Sequence, residues 1–145
     1  MFDDATRKAG RGLGLLILRV GAGLLMMSHG WGKVQKVFAG DFKFADPLGL
    51  GSGPSLVLAA GAEFGLAALV VAGLATRISA APIFFTMMTA AFVQHASDDF
   101  ATKEKAIVYA LMYLVIVLAG PGRFSVDAIV WPAIKRRHEK KKKAA

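Results

Sequence analysis

The residues best placed to do chemistry are the few ionisable side chains within or beside the apolar stretches. Glu63 falls inside the run 55–75, otherwise free of charge up to Ala75. A charged group in a bilayer costs roughly 2.5–3.5 kcal/mol on insertion scales, so it must be neutral, paired or functional. His29, Lys33 and Lys36 follow i, i+4, i+7 and share one helix face. His95 closes a later apolar run, and Glu104 opens the last one. One reading makes His29 and Lys33 the point where a helix meets water, with Glu63 a satisfied carboxyl bonded across helices, for instance to His29. The other gathers Glu63, His29, Lys33, His95 and Glu104 into a polar pocket for a proton path, a small anion or a quinone carbonyl. Histidines suit proton handling near neutral pH, and His, Lys or Trp31 could donate to a carbonyl in an apolar slot.

A second set is Arg19, Arg77, Arg123 and Asp127. These are expected to form an ion-pair network that locks helix ends together on the cytoplasmic side; a substrate-anion site is the alternative. No catalytic residue can be named. The cofactor also stays open. A quinone fits the residue types, whereas His29, His95, Glu63 and Glu104 lack the helical spacing of a metal or haem ligand pair. There is no cysteine, which excludes disulfide exchange, thiolate metal sites and iron–sulfur clusters.

The elements that must position these groups are transmembrane helices. Of 145 residues, 55% are apolar and only 19% charged, too much apolar surface for a soluble domain of this size to hide. Apolar segments run over about 13–27 (extendable to Val37), 55–75, 78–96 and 106–119. Pro82 falls in the first turns of the third, where proline is tolerated. The first follows Arg7, Lys8 and Arg11 as a signal-peptide core would. Arg19 interrupts it, however, and His29-Gly30-Trp31 is a poor cleavage site, so it reads as a retained helix.

The net charge of +8 is concentrated in the tail from Lys135, which holds seven basic residues against Glu139. Beside a membrane segment this reads as an anchor on anionic lipid, with no nucleic acid as partner; His138 is taken as solvated within it. Basic flanks at both ends and Arg77 between helices two and three place both termini in the cytoplasm, which an even number of crossings requires. The expected fold is all-α: a four-helix membrane bundle in the cytoplasmic membrane. Residues 1–12 form a cytoplasmic segment, 13–130 the bundle and 131–145 the tail. A short interfacial helix follows Gly120-Pro121-Gly122, capped by Ser125 and carrying Trp131. Gly61 and Gly65 form a GxxxG on the face opposite Glu63, suited to a protein partner or a second copy.

Leu-Arg-Val-Gly-Ala-Gly-Leu-Leu at 18–25, Ser-His-Gly-Trp-Gly-Lys at 28–33, Ala-Glu-Phe-Gly-Leu-Ala at 62–67 and Gly-Leu-Ala-Thr-Arg at 73–77 resemble DoxX family membrane proteins. Gln94-His95, Glu104 and Gly-Pro-Gly-Arg-Phe-Ser-Val-Asp at 120–127 extend the resemblance over about 13–130. It implies a four-helix membrane bundle and a link to respiratory electron transfer, as a small subunit of a quinone-linked oxidoreductase or a component of an oxidative-stress system. A non-catalytic anchor or assembly subunit is the alternative. Without cysteine, any redox role needs a bound cofactor, a quinone or a partner's redox centre.

Overall fold

The computed structural model describes residues 3–132 and 134; the basic tail and His138 lie outside the described residues. All regular structure among them is helical. Helix α1 is Asp4–Phe38. It is 35 residues long, about 52 Å at 1.5 Å per residue, and overshoots a hydrocarbon core of about 30 Å. Its start is fixed by Asp3, whose carboxylate accepts from the Thr6 amide at 2.8 Å. Its end is a Schellman turn: Gly40 takes φ 68°, and the Asp41 amide donates to the Lys36 carbonyl at 3.0 Å.

Helix α2 (Ser52–Ala72) begins after Gly51 and ends at Gly73, φ 74°. Its middle turn, Gly61–Leu66, is π-helical. The extra residue in that turn brings two consecutive side chains, Ala62 and Glu63, to the buried side. Helix α3 (Thr76–Gln94) closes on a second π turn, Ala90–Gln94. It starts two residues earlier than the hydropathy suggested, so Pro82 lies inside the helix. Proline there withholds an intrahelical hydrogen bond. Helix α4 is Phe100–Ala119, capped by Asp99, and residues 126–132 form the short helix α5.

Helix α1 packs along α2 and touches α4, while α3 packs along α4 and against α2. The interior is built from small residues. Among the described residues, eight of the fifteen buried apolar side chains are alanine. Large apolar side chains such as Ile17, Leu24, Leu25, Leu111 and Leu118 point outward and are exposed. Small residues inside and large ones outside is the arrangement of helices that meet lipid, where close backbone approach replaces hydrophobic exclusion. Helices α1, α2 and α3 are long and apolar enough to cross a membrane. Helix α4 carries Lys103, Glu104 and Lys105 in its first turns and is not among them. The chain is a multi-pass membrane protein.

Candidate functional site: a cavity walled by a buried ion pair

Helices α1 and α2 meet backbone to backbone where Gly30 faces Glu63. A Cβ on Gly30 would lie 2.8 Å from the Glu63 carbonyl carbon. Seven residues earlier on the same face of α1, Gly23 lies against the Val71 side chain and the Ala67 carbonyl. These two glycines, rather than the GxxxG of α2, set the helix spacing. Neither Gly61, which borders the cavity described below, nor Gly65 has anything within 4 Å of a Cβ position.

Glu63 is buried, with 4% of its side chain exposed, and Lys33 Nζ donates to its Oε2 at 2.6 Å. His29 Nε2 is 3.9 Å from the same oxygen. The close partner is therefore Lys33, one turn beyond His29 on the same face of α1. His29 stacks on Tyr109 of α4 with ring centroids 6.4 Å apart. Lys33 Nζ lies 6.0 Å from the centre of the Phe44 ring, a cation–π distance. Glu63 sits eleven residues into α2, about 16 Å from its start. At that depth the buried carboxylate needs a partner to stay charged, and the half-buried Lys33 ammonium reaches it from the cavity side.

The pair forms one wall of a cavity of about 1170 Å³ lined mainly by apolar side chains of α2, α3 and the 41–51 loop, among them Leu58, Leu66, Phe85 and Met87. Of the five residues expected to form a pocket, His29, Lys33, Glu63 and His95 line this cavity. Glu104 is exposed on α4 and is not part of the lining; its neighbour Lys105 faces the cavity instead. His95 is held at the rim by Asp98, whose carboxylate is 2.6 Å from Nδ1. The loop over the cavity is fixed by Asp46. Its carboxylate accepts from the Ser55 hydroxyl at 2.7 Å and from the amides of Gly51 and Leu50 at 2.8 and 2.9 Å. These bonds, that from Ser55 foremost, hold Asp46 below the usual aspartate value.

The arginine cluster lies at the other end of the molecule, since Arg19 precedes Lys33 by fourteen residues, about 21 Å along α1. The expected ion-pair network is not what joins it. Among the described residues no ion pair within 4 Å links Arg19, Arg77, Arg123 and Asp127; they bind main chain or rings instead. Arg19 is buried and donates to the carbonyls of Val70, Val71 and Phe124 at 3.0, 2.8 and 2.7 Å. Arg77 donates to the Leu118 carbonyl at 2.9 Å. Arg123 lies over the Phe124 ring. Asp127 accepts from the Ala75 and Thr76 amides and the Thr76 hydroxyl at 2.7–2.8 Å. The physical reason is that helix ends leave carbonyls and amides unpaired, and α2 and α3 meet in a turn of only three residues. Ala75 in that turn takes φ 47° and has no side chain to cap α3. Asp127 supplies the cap from a distant segment. Burial opposes its ionisation, but the bonds from Thr76 and Ala75 and the nearby Arg19 charge hold Asp127 below the ordinary aspartate value.

Sequence reasoning missed the π turn that carries Glu63, the close approach at Gly30 and the loop ceiling. Only the last had a readable signal, Asp-Pro-Leu-Gly-Leu-Gly-Ser-Gly-Pro at 46–54 before an apolar run, which marks a turn into a helix.

The DoxX family model matches residues 14–96, the stretch that holds Arg19, Lys33, Glu63 and His95. Inner membrane protein YqjF of Escherichia coli strain K12 is 28% identical over 127 residues, covering 81% of this chain and 92% of that protein. No solved structure matches. With the family pattern spanning more than half the chain and both halves of the cavity-forming helix pair, the protein belongs to the DoxX family.

Proposed function

We propose that this DoxX protein crosses the membrane four times, with both termini in the cytoplasm, and binds a quinone in the cavity as the small membrane component of a quinone-linked redox system. The observation that carries the reading is a large apolar cavity with a buried Lys33–Glu63 pair in its wall. Quinone rings need an apolar slot and a hydrogen-bond donor at each carbonyl. His29, Lys33 and His95 all line the cavity and carry N–H donors. A bound quinone would supply two-electron, two-proton redox chemistry. The chain's own residues orient the ring, exclude water and hold a proton-accepting carboxylate at Glu63. Helix α4, with its charged first turns at the surface, makes the fourth crossing. Arg7, Lys8 and Arg11 before α1 and the lysine-rich tail favour the cytoplasm for both ends.

A short-chain quinone titrated into the detergent-purified protein tests this. Saturable binding that weakens at least tenfold in Glu63→Gln supports it, and binding equal in both proteins contradicts it. The second reading, a non-catalytic anchor or assembly subunit, rests on the uncovered surface at Gly65, outside the cavity lining. It expects Gly65→Leu, outside the cavity lining, to release a partner or a second copy with the cavity unchanged.

A further inference from the structure

We propose that the cavity mouth binds an anionic phospholipid, with its phosphate at Lys36, Lys43 and Lys105 and an acyl chain in the cavity. The lining carries four lysines against one carboxylate, a net +3 with histidines neutral, and that carboxylate is already paired with Lys33. The other three lysines have no carboxylate within 4 Å among the described residues. Lys36 and Lys43 are adjacent, because Lys36 Nζ donates to the Lys43 carbonyl. Neighbouring acids are already engaged: Asp98 by His95, Asp46 by Ser55, and Asp41 by the Lys43 amide. A positive rim on an apolar chamber is complementary to a molecule with an acidic head and an apolar body. The volume of about 1170 Å³ exceeds the roughly 300–1,000 Å³ of pockets for small compact ligands, leaving room for a chain. Leu58 and Phe85 of the lining are exposed, so the cavity opens toward the lipid that would supply the occupant. The inference uses the same cavity as the redox reading but does not depend on quinone binding.

The test uses the full chain in nanodiscs with phosphatidylglycerol bearing a photoreactive group in its acyl chain, and phosphatidylcholine with the same chain as control. After illumination, labelled peptides are mapped. Labelling at Leu66 or Met87 by phosphatidylglycerol, about tenfold or more weaker with phosphatidylcholine and in the Lys36→Gln/Lys43→Gln/Lys105→Gln variant, is the expected result. Glu63→Gln should keep the label while losing quinone, which separates the two readings. Equal labelling by both lipids, or an unchanged pattern in the lysine variant, would overturn the proposal. Because the basic tail is present in both wild type and the lysine variant, its own attraction for anionic lipid cancels from that comparison, which decides the test.

Discussion

Three residues set the contact of α1 with α2 beside the cavity. Glu63 and Lys33 form a buried pair whose value lies mostly in what happens when it is broken. Glu63→Ala leaves the Lys33 ammonium without its carboxylate. The expected loss is about 3–5 kcal/mol, read as a fall in the unfolding midpoint of the detergent-solubilised protein. Lys33→Met/Glu63→Leu removes both charges and should recover most of that loss. Gly30 is the third. Gly30→Ala places a methyl against the Glu63 backbone, which cannot rotate away, and should cost roughly 1–3 kcal/mol. Gly32→Ala, with open space around it, should leave the midpoint unchanged. The presence of a costly carboxyl at Glu63 was legible in the sequence because the surrounding apolar run made it conspicuous. Its partner was not. His29 and Lys33 share a face one turn apart, and the reach of a lysine against that of an imidazole across a helix pair depends on spacing that the glycines of α1 set.

At the scale of elements, the two clusters of motif residues turn out to do different work. Segments 73–77 and 120–127, far apart in the chain, meet at Arg19, where guanidinium and carboxylate act as helix caps. Composition placed these residues at one end of the bundle, but could not say that they bind main chain rather than each other. That depends on Ala75 adopting a left-handed conformation and leaving the amides of α3 in need of an acceptor. Asp127→Asn should therefore destabilise the α2–α3 turn, and the effect should depend on pH. Because the folded-state pKa lies below the ordinary 3.8, the ionised carboxylate's stabilisation is fully present above that value and is lost as pH falls through the folded-state value. Unfolding midpoints of wild type and Asp127→Asn should differ at neutral pH and converge in strong acid. Arg19→Lys keeps the charge but not the fork that reaches three carbonyls, and should lower the midpoint at every pH.

For the whole molecule, hydropathy and charge gave an all-helical membrane protein without any knowledge of contacts. The large side chains left outside and the alanines within are the structural counterpart of that pattern. The fourth helix is the element on which length and composition give less, because Lys103, Glu104 and Lys105 shorten its apolar part. A chain without cysteine makes the topology directly measurable. Single cysteines at Ala39 and Ser97 should react with an impermeant thiol reagent applied outside intact cells. Those at Leu74 and Lys140 should react only after permeabilisation. Labelling of Ala39→Cys and Lys140→Cys from opposite sides is the pattern of an even number of crossings between Lys140 and the N-terminus with α1 crossing once; labelling from the same side would contradict it.

The central claim is that the cavity beside Lys33 and Glu63 holds a quinone in the native membrane. The most direct measurement is a lipid extract of the protein purified in mild detergent, assayed for quinone against protein. Near-stoichiometric quinone that falls to background in Glu63→Gln, with that variant still folded and membrane-inserted, is the expected result. An extract free of quinone, or one with the same quinone content in wild type and Glu63→Gln, would contradict it.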